Sequence, residues 1–84
     1  MGIIVSSNSN GNTVDNNIVT SNTQTNGGGI YLSSNARFNT ISNNTVTSNA
    51  FAGIFLYSPN ADSNTIRGNT ANSIRSCSVG KIDQ

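Results

Sequence analysis

The sequence predicts an all-β fold, a parallel β-helix (solenoid) in which about three short coils stack on one another. Three observations predict it: a six-residue motif recurs, aliphatic residues recur at equivalent places in each copy, and helix-forming residues are scarce. Asn, Ser and Thr make up 38 of the 84 residues, and Asn alone makes up 16. A chain this polar can be disordered, but low charge and the regular spacing of Ile, Val and Leu favour a folded repeat.

The repeated unit opens with glycine and carries a motif with asparagine at both ends. The motif reads NTVDNN, NTISNN and NTIRGN, at residues 12–17, 39–44 and 64–69. Opening glycines stand at Gly2, Gly29 and Gly53. We therefore treat residues 1–84 as one β-helix segment with coils of about 2–28, 29–52 and 53–79. Gly80 is a candidate start for a fourth coil.

Each unit is predicted to contain three short strands separated by turns. In the second unit, Ile30 and Leu32 alternate with Tyr31, which is the period-two pattern of a strand. The segments around Ile41 and Val46 are the second and third strands. Gly, Asn and Ser between them are turn residues. None of these strands is long enough to be stable alone, so the copies must stack.

Stacking at the ~4.8 Å strand spacing aligns equivalent residues into columns. Four inward columns are aliphatic: Ile3, Ile30 and Ile54; Val5, Leu32 and Leu56; Val14, Ile41 and Ile66; Val19, Val46 and Ala71. Two corner columns are asparagine: Asn12, Asn39 and Asn64; Asn17, Asn44 and Asn69. Asparagine tolerates left-handed backbone angles, and its amide both donates and accepts hydrogen bonds. We therefore predict that the asparagines are structural ladders rather than catalytic groups.

The opening GIYL of the second unit, followed by NxIxxNxVxxN, resembles the repeat of right-handed parallel β-helices in the pectin-lyase-like superfamily. The nearest resemblance is to Asn-rich repeats of surface and periplasmic proteins, including the periplasmic copper-binding accessory family. It covers Gly2 to about Ile74. The resemblance implies a right-handed coil and an extracellular or cell-surface location, although no signal peptide is visible after Met1.

The ends of the predicted solenoid lack recognisable caps. Met1 stands just before a strand, and residues 75–84 are too short for an amphipathic helix. An open solenoid end exposes unpaired strand edges and part of its core. We therefore expect a segment of a longer β-helix, or a chain that associates through neighbouring coils or with copies of itself.

Charge and donor residues limit the chemistry. The net charge is +1 without a basic stripe, which disfavours nucleic acid, and no apolar run can span a membrane. With no His, one Cys (Cys77) and one Met, we expect no metal centre and no cofactor. The three carboxylates, Asp15, Asp62 and Asp83, do not fall on neighbouring coils of one column. We therefore predict no catalytic residues.

Outward positions of the first strand predict a binding surface. Tyr31, Phe55 and Tyr57 alternate with inward residues and are expected to share one exposed face. Aromatic rings on a flat sheet suit the apolar faces of sugars, so a polysaccharide or another glycan is the expected partner. The opposite interpretation is that a loop or a partner chain covers the rings. Ice binding is disfavoured, because the threonine columns do not occupy adjacent strand positions.

Together these patterns predict a non-catalytic structural or adhesive β-helix segment of a surface or secreted protein, with weak carbohydrate binding. The alternative is a fragment of a carbohydrate-active enzyme, a polysaccharide lyase or glycoside hydrolase, whose catalytic coils lie outside this chain.

Overall fold

A computed structural model describes residues 2–23, 28–57, 61–76 and 81–83, and every regular element in these ranges is a β-strand. The strands are β1 (Ile3–Val5), β2 (Thr13–Asp15), β3 (Ile18–Thr20), β4 (Gly28–Leu32), β5 (Thr40–Ser42), β6 (Thr45–Thr47), β7 (Ala52–Leu56), β8 (Thr65–Arg67), β9 (Thr70–Ala71), β10 (Ile74–Ser76) and β11 (Lys81–Asp83). Within the described ranges, no helix is long and apolar enough to cross a membrane.

The strands form three parallel sheets, and each of the first three coils contributes one strand to each sheet in turn. The first sheet has the order β1-β4-β7-β10, the second β2-β5-β8-β11 and the third β3-β6-β9. In the first sheet Ile30 lies between Ile3 and Ile54, which is the predicted register. The predicted right-handed parallel β-helix of about three coils is confirmed.

The core lies between the three sheets and contains the predicted aliphatic columns together with Ala36 and Ala61. Ile30, Ile41 and Val46, one from each sheet of the second coil, are completely buried in a single cluster. Val14 in the first coil and Ile74 in the fourth are only partly buried against it. The second and third coils therefore contain the best-protected part of the molecule.

The opening glycine of each unit allows the first sheet to approach the third closely. A Cβ on Gly29 would lie 2.6 Å from Cγ1 of Val46 and 2.7 Å from Nδ2 of Asn49. Gly2 is equally crowded by the side chain of Val19. Any larger residue at these positions would push the two sheets apart.

Two further strands, β10 and β11, continue the stack after the third coil. Ile74 pairs with Ile54 in the first sheet, whereas Lys81 pairs with Thr65 in the second. Gly80, the candidate start of a fourth coil, lies outside the described residues. The return path to the first sheet is shorter in the third coil, from Thr70 to Ile74, than in the two coils before it.

Candidate functional site

The asparagine columns form hydrogen-bonded ladders. Oδ1 of Asn44 accepts from the backbone N–H of Asn17 at 2.9 Å and from its Nδ2 at 3.1 Å. Nδ2 of Asn44 donates to Oδ1 of Asn69 at 2.9 Å and to the carbonyl of Val14 at 3.0 Å. The other predicted column has the same arrangement: Asn12, Asn39 and Asn64. The predicted stacking is confirmed, and it uses the amides for structure.

The left-handed backbone angle, however, does not belong to the ladder asparagines. It belongs to the residue before each one, as at Asn43, where φ is 55°. The residues in this position are Gly11, Asn16, Ser21, Phe38, Asn43, Ser48, Ser63 and Gly68. The left-handed residue turns the chain, so that the next side chain points inward: Asn43 is exposed and Asn44 is buried. The backbone part of the sequence-based explanation was therefore wrong.

The outer face of the second sheet carries Asp15. Its Oδ1 accepts from Oγ of Ser42 at 2.7 Å and from Nδ2 of Asn43 at 3.1 Å, and its Oδ2 accepts from Nδ2 of Asn16 at 2.6 Å. The hydrogen bonds from Ser42 and then Asn43 lower the pKa of Asp15 below its ordinary value. An exposed, stabilised carboxylate of this kind is a poor general acid.

The predicted aromatic residues lie together on the outer face of the first sheet. The ring centroid of Phe55 lies 5.7 Å from that of Tyr31 and 5.6 Å from that of Tyr57. The two tyrosine rings are stacked, with their centroids 5.8 Å apart. Tyr57 is 54% exposed, but Phe55 is only 7% exposed. The exposure predicted for Phe55 is wrong, because the neighbouring rings cover it.

Two further residues join this group. The ring of Phe51 lies 5.2 Å from that of Phe55, and Cζ of Arg75 lies 4.4 Å from the centroid of the Phe51 ring. Sequence reasoning missed Phe51 because it precedes β7, where strand alternation does not apply. It missed Arg75 because β10 was not expected, although Ile74 continues the inward isoleucine column. We call Tyr31, Phe51, Phe55 and Tyr57 the aromatic face.

The aromatic face is open rather than concave. No enclosed pocket occurs within the described parts of the chain. A small molecule is usually held in a cleft that buries most of its surface. An open face instead suits an extended ligand that lies along the sheet.

A family model described as "Periplasmic copper-binding protein (NosD)" matches residues 1–82. No curated protein and no solved structure matches the chain.

The described residues do not fit a copper centre. Proteins bind copper through thiolate, thioether and imidazole groups. The chain has no histidine, one methionine and one cysteine, Cys77, which lies outside the described residues. Among the residues with described positions, no three His, Cys, Asp or Glu side chains lie together. We therefore derive no copper chemistry for these residues.

Proposed function

The chain belongs to the periplasmic copper-binding protein (NosD) family, and from this premise we propose that it is a non-catalytic β-helix segment of a periplasmic accessory protein, with the aromatic face as its glycan-contacting surface. One observation carries the proposal: four aromatic rings are clustered on the outside of one sheet. Copper binding is not included, because the described side chains do not supply its ligands.

The carboxylates support a non-catalytic role. Glycoside hydrolysis uses two carboxyl groups on either side of one bond, roughly 5–10 Å apart. Asp15 lies on the second sheet and is held by amide and hydroxyl donors, whereas Asp62 forms an ion pair with Arg37 at 2.8 Å. Asp83 lies on β11, in the second sheet. A fragment of a polysaccharide lyase or glycoside hydrolase remains the alternative, and no described pair of carboxylates favours it.

The ring geometry supports a glycan. Tyr31 and Tyr57 present nearly parallel rings, inclined by 23°, and Phe55 packs beneath them. Aromatic faces are large, rigid and apolar, and the phenol hydroxyls add hydrogen-bonding groups at the edge. Because the face is shallow, we expect a Kd of about 1 mM for one sugar unit. Longer chains should bind more tightly, since neighbouring units reach the face at high effective concentration.

Glycan binding is tested by isothermal titration of the protein with β-linked oligosaccharides of increasing length. Tyr57→Ala should weaken binding of the longest oligosaccharide by about fivefold or more, because it removes the most exposed ring. Phe38→Ala is the matched control, since Phe38 is 67% exposed but lies outside the aromatic face. Absence of heat or tyrosine fluorescence change with every oligosaccharide, or equal losses in both variants, would overturn the proposal.

Association with a neighbouring coil is a second part of the proposal. β1, β2 and β3 are the outer strands of the three sheets at one end. Each ladder backbone N–H, such as that of Asn17, donates to Oδ1 of the following coil, Asn44 in this case. A coil added beside β1, β2 and β3 therefore has to contribute the N–H donors of the ladder. A second copy can do this only by a head-to-tail contact, and repeated head-to-tail contacts build an assembly that continues to grow.

Self-association through this edge is tested by sedimentation of the isolated chain over a range of concentrations. A mass that keeps rising beyond a dimer supports head-to-tail addition. A dimer that does not grow indicates a symmetric contact instead, and a monomer at every concentration excludes self-association.

A further inference from the structure

In the part of the chain that the structure describes, one edge of the aromatic face carries a charged side chain. The outward column of the first sheet runs through Ile4, Tyr31, Phe55 and Arg75, which are paired in register. Arg75 is exposed, and its guanidinium lies over the ring of Phe51. Within the described residues, this apolar surface therefore ends in a cation that lies against an aromatic ring.

Among the carboxylates whose side chains the structure describes, none lies beside this cation. Asp15 and Asp83 are on strands of the second sheet, and Asp62 is paired with Arg37. The segments outside the described residues contain neither Asp nor Glu. The guanidinium of Arg75 is thus available to an anionic group supplied by a ligand.

We propose that the aromatic face selects acidic glycans, in which an uronate carboxylate binds Arg75 while the sugar rings lie on the aromatic side chains. This inference rests on the proposed function and names the class of glycan. A guanidinium offers a planar fork of N–H donors that matches a carboxylate with two parallel hydrogen bonds. Its contact with Phe51 also limits its freedom before the ligand arrives, which reduces the entropy lost on binding.

Single-stranded nucleic acid is the competing ligand, because bases also stack on aromatic rings. Its binding depends on several cations that follow the phosphate backbone. The described side chains of the first sheet provide Arg75 alone. One cation at the edge of four rings fits a carboxylate on a sugar better than a run of phosphates.

The test uses two matched probes, a β-1,4-linked hexameric oligouronate and the same hexamer with its carboxylates reduced to primary alcohols. At low salt the protein should bind the acidic probe roughly three- to fivefold more tightly, as expected for an exposed ion pair. This preference should disappear at high salt because the charges are screened. Arg75→Gln should remove the preference, so that the Kd values for the acidic and neutral probes become equal.

Arg67→Gln is the control, since Arg67 is an exposed arginine on the second sheet and its loss changes the net charge equally. It should keep the preference, and Arg75→Lys should keep part of it. Equal binding of both probes by the parent protein overturns the acidic selectivity and leaves the proposed glycan function standing. Binding of neither probe overturns both. Tighter binding of an oligothymidylate than of the oligouronate would assign the face to nucleic acid instead.

Discussion

Nδ2 of Asn44 donates a 2.9 Å hydrogen bond to Oδ1 of Asn69 in the next coil, and both side chains are buried. A buried amide is costly unless its donors and acceptor are satisfied. Here each amide satisfies its neighbour, so the same residue has to recur at the same place in successive coils. This requirement explains the asparagine at both ends of the repeated motif, and it makes these residues structural.

Asn44→Ala should lower the free energy of unfolding by about 2–3 kcal/mol, because it leaves the N–H of Asn17 and the carbonyl of Val14 without this partner. Asn43→Gly is the control, since glycine accepts the left-handed angle at position 43 and the lost side chain is exposed. Urea denaturation measures both. Similar losses in the two variants would show that the ladder adds little stability.

Ile41→Asp should destabilise the protein by several kcal/mol and prevent cooperative unfolding, because it places an unpaired charge between Val14 and Ile66. Thr45→Asp, an exposed position on the next strand, should change the melting temperature little. Thermal melts followed by circular dichroism compare the two. If Ile41→Asp melted like the parent protein, the aliphatic column would not face a common core.

Phe55→Ala should cost about 2–4 kcal/mol although Phe55 points away from the core, because three other rings cover it. Tyr57→Ala should cost less than about 1 kcal/mol, since its ring is half exposed. The free energies of unfolding of the two variants show which of the two rings contributes to the packing of the cluster. A Phe55→Ala variant as stable as the parent would mean that the rings do not pack as a cluster.

The carboxyl of Asp15 should titrate below the ordinary aspartate pKa, and Ser42→Ala should raise that pKa most, followed by Asn43→Gly. A lowered pKa in the folded state gives stability that is present above the unfolded pKa and is lost as pH falls through the folded pKa. Asp15→Asn should therefore reduce the fall in melting temperature that the protein shows as the pH is lowered into the acid range. An NMR titration of the Asp15 side chain gives the pKa directly, and an unchanged pKa in Ser42→Ala would contradict the assigned cause.

The residues that repeat were predictable from the sequence, and those that depend on connection length were not. Residues of the same type stand at the positions equivalent to Ile30, Ile41 and Asn44 in the other repeats. Aligning the repeats was therefore enough to predict which residues lie above and below them. Arg75 contacts Phe51 because the connection from the third sheet back to the first is short in the third coil. The repeated sequence does not indicate that this connection is shorter than in the other coils. The burial of Phe55 depends on how four rings pack, which strand alternation cannot specify.

Side-chain amide exchange at Asn44 and Asn43 tests most directly whether the chain is a β-helix held by asparagine ladders. Both residues lie in one turn, but the Nδ2 of Asn44 is enclosed by the carbonyl of Val14 and the amide of Asn69, whereas Asn43 is exposed. NMR hydrogen exchange should show strong protection at the Asn44 side chain and near-unprotected exchange at Asn43. Equally fast exchange of the two side chains would contradict the ladder, and with it the assignment of these asparagines to structure rather than function.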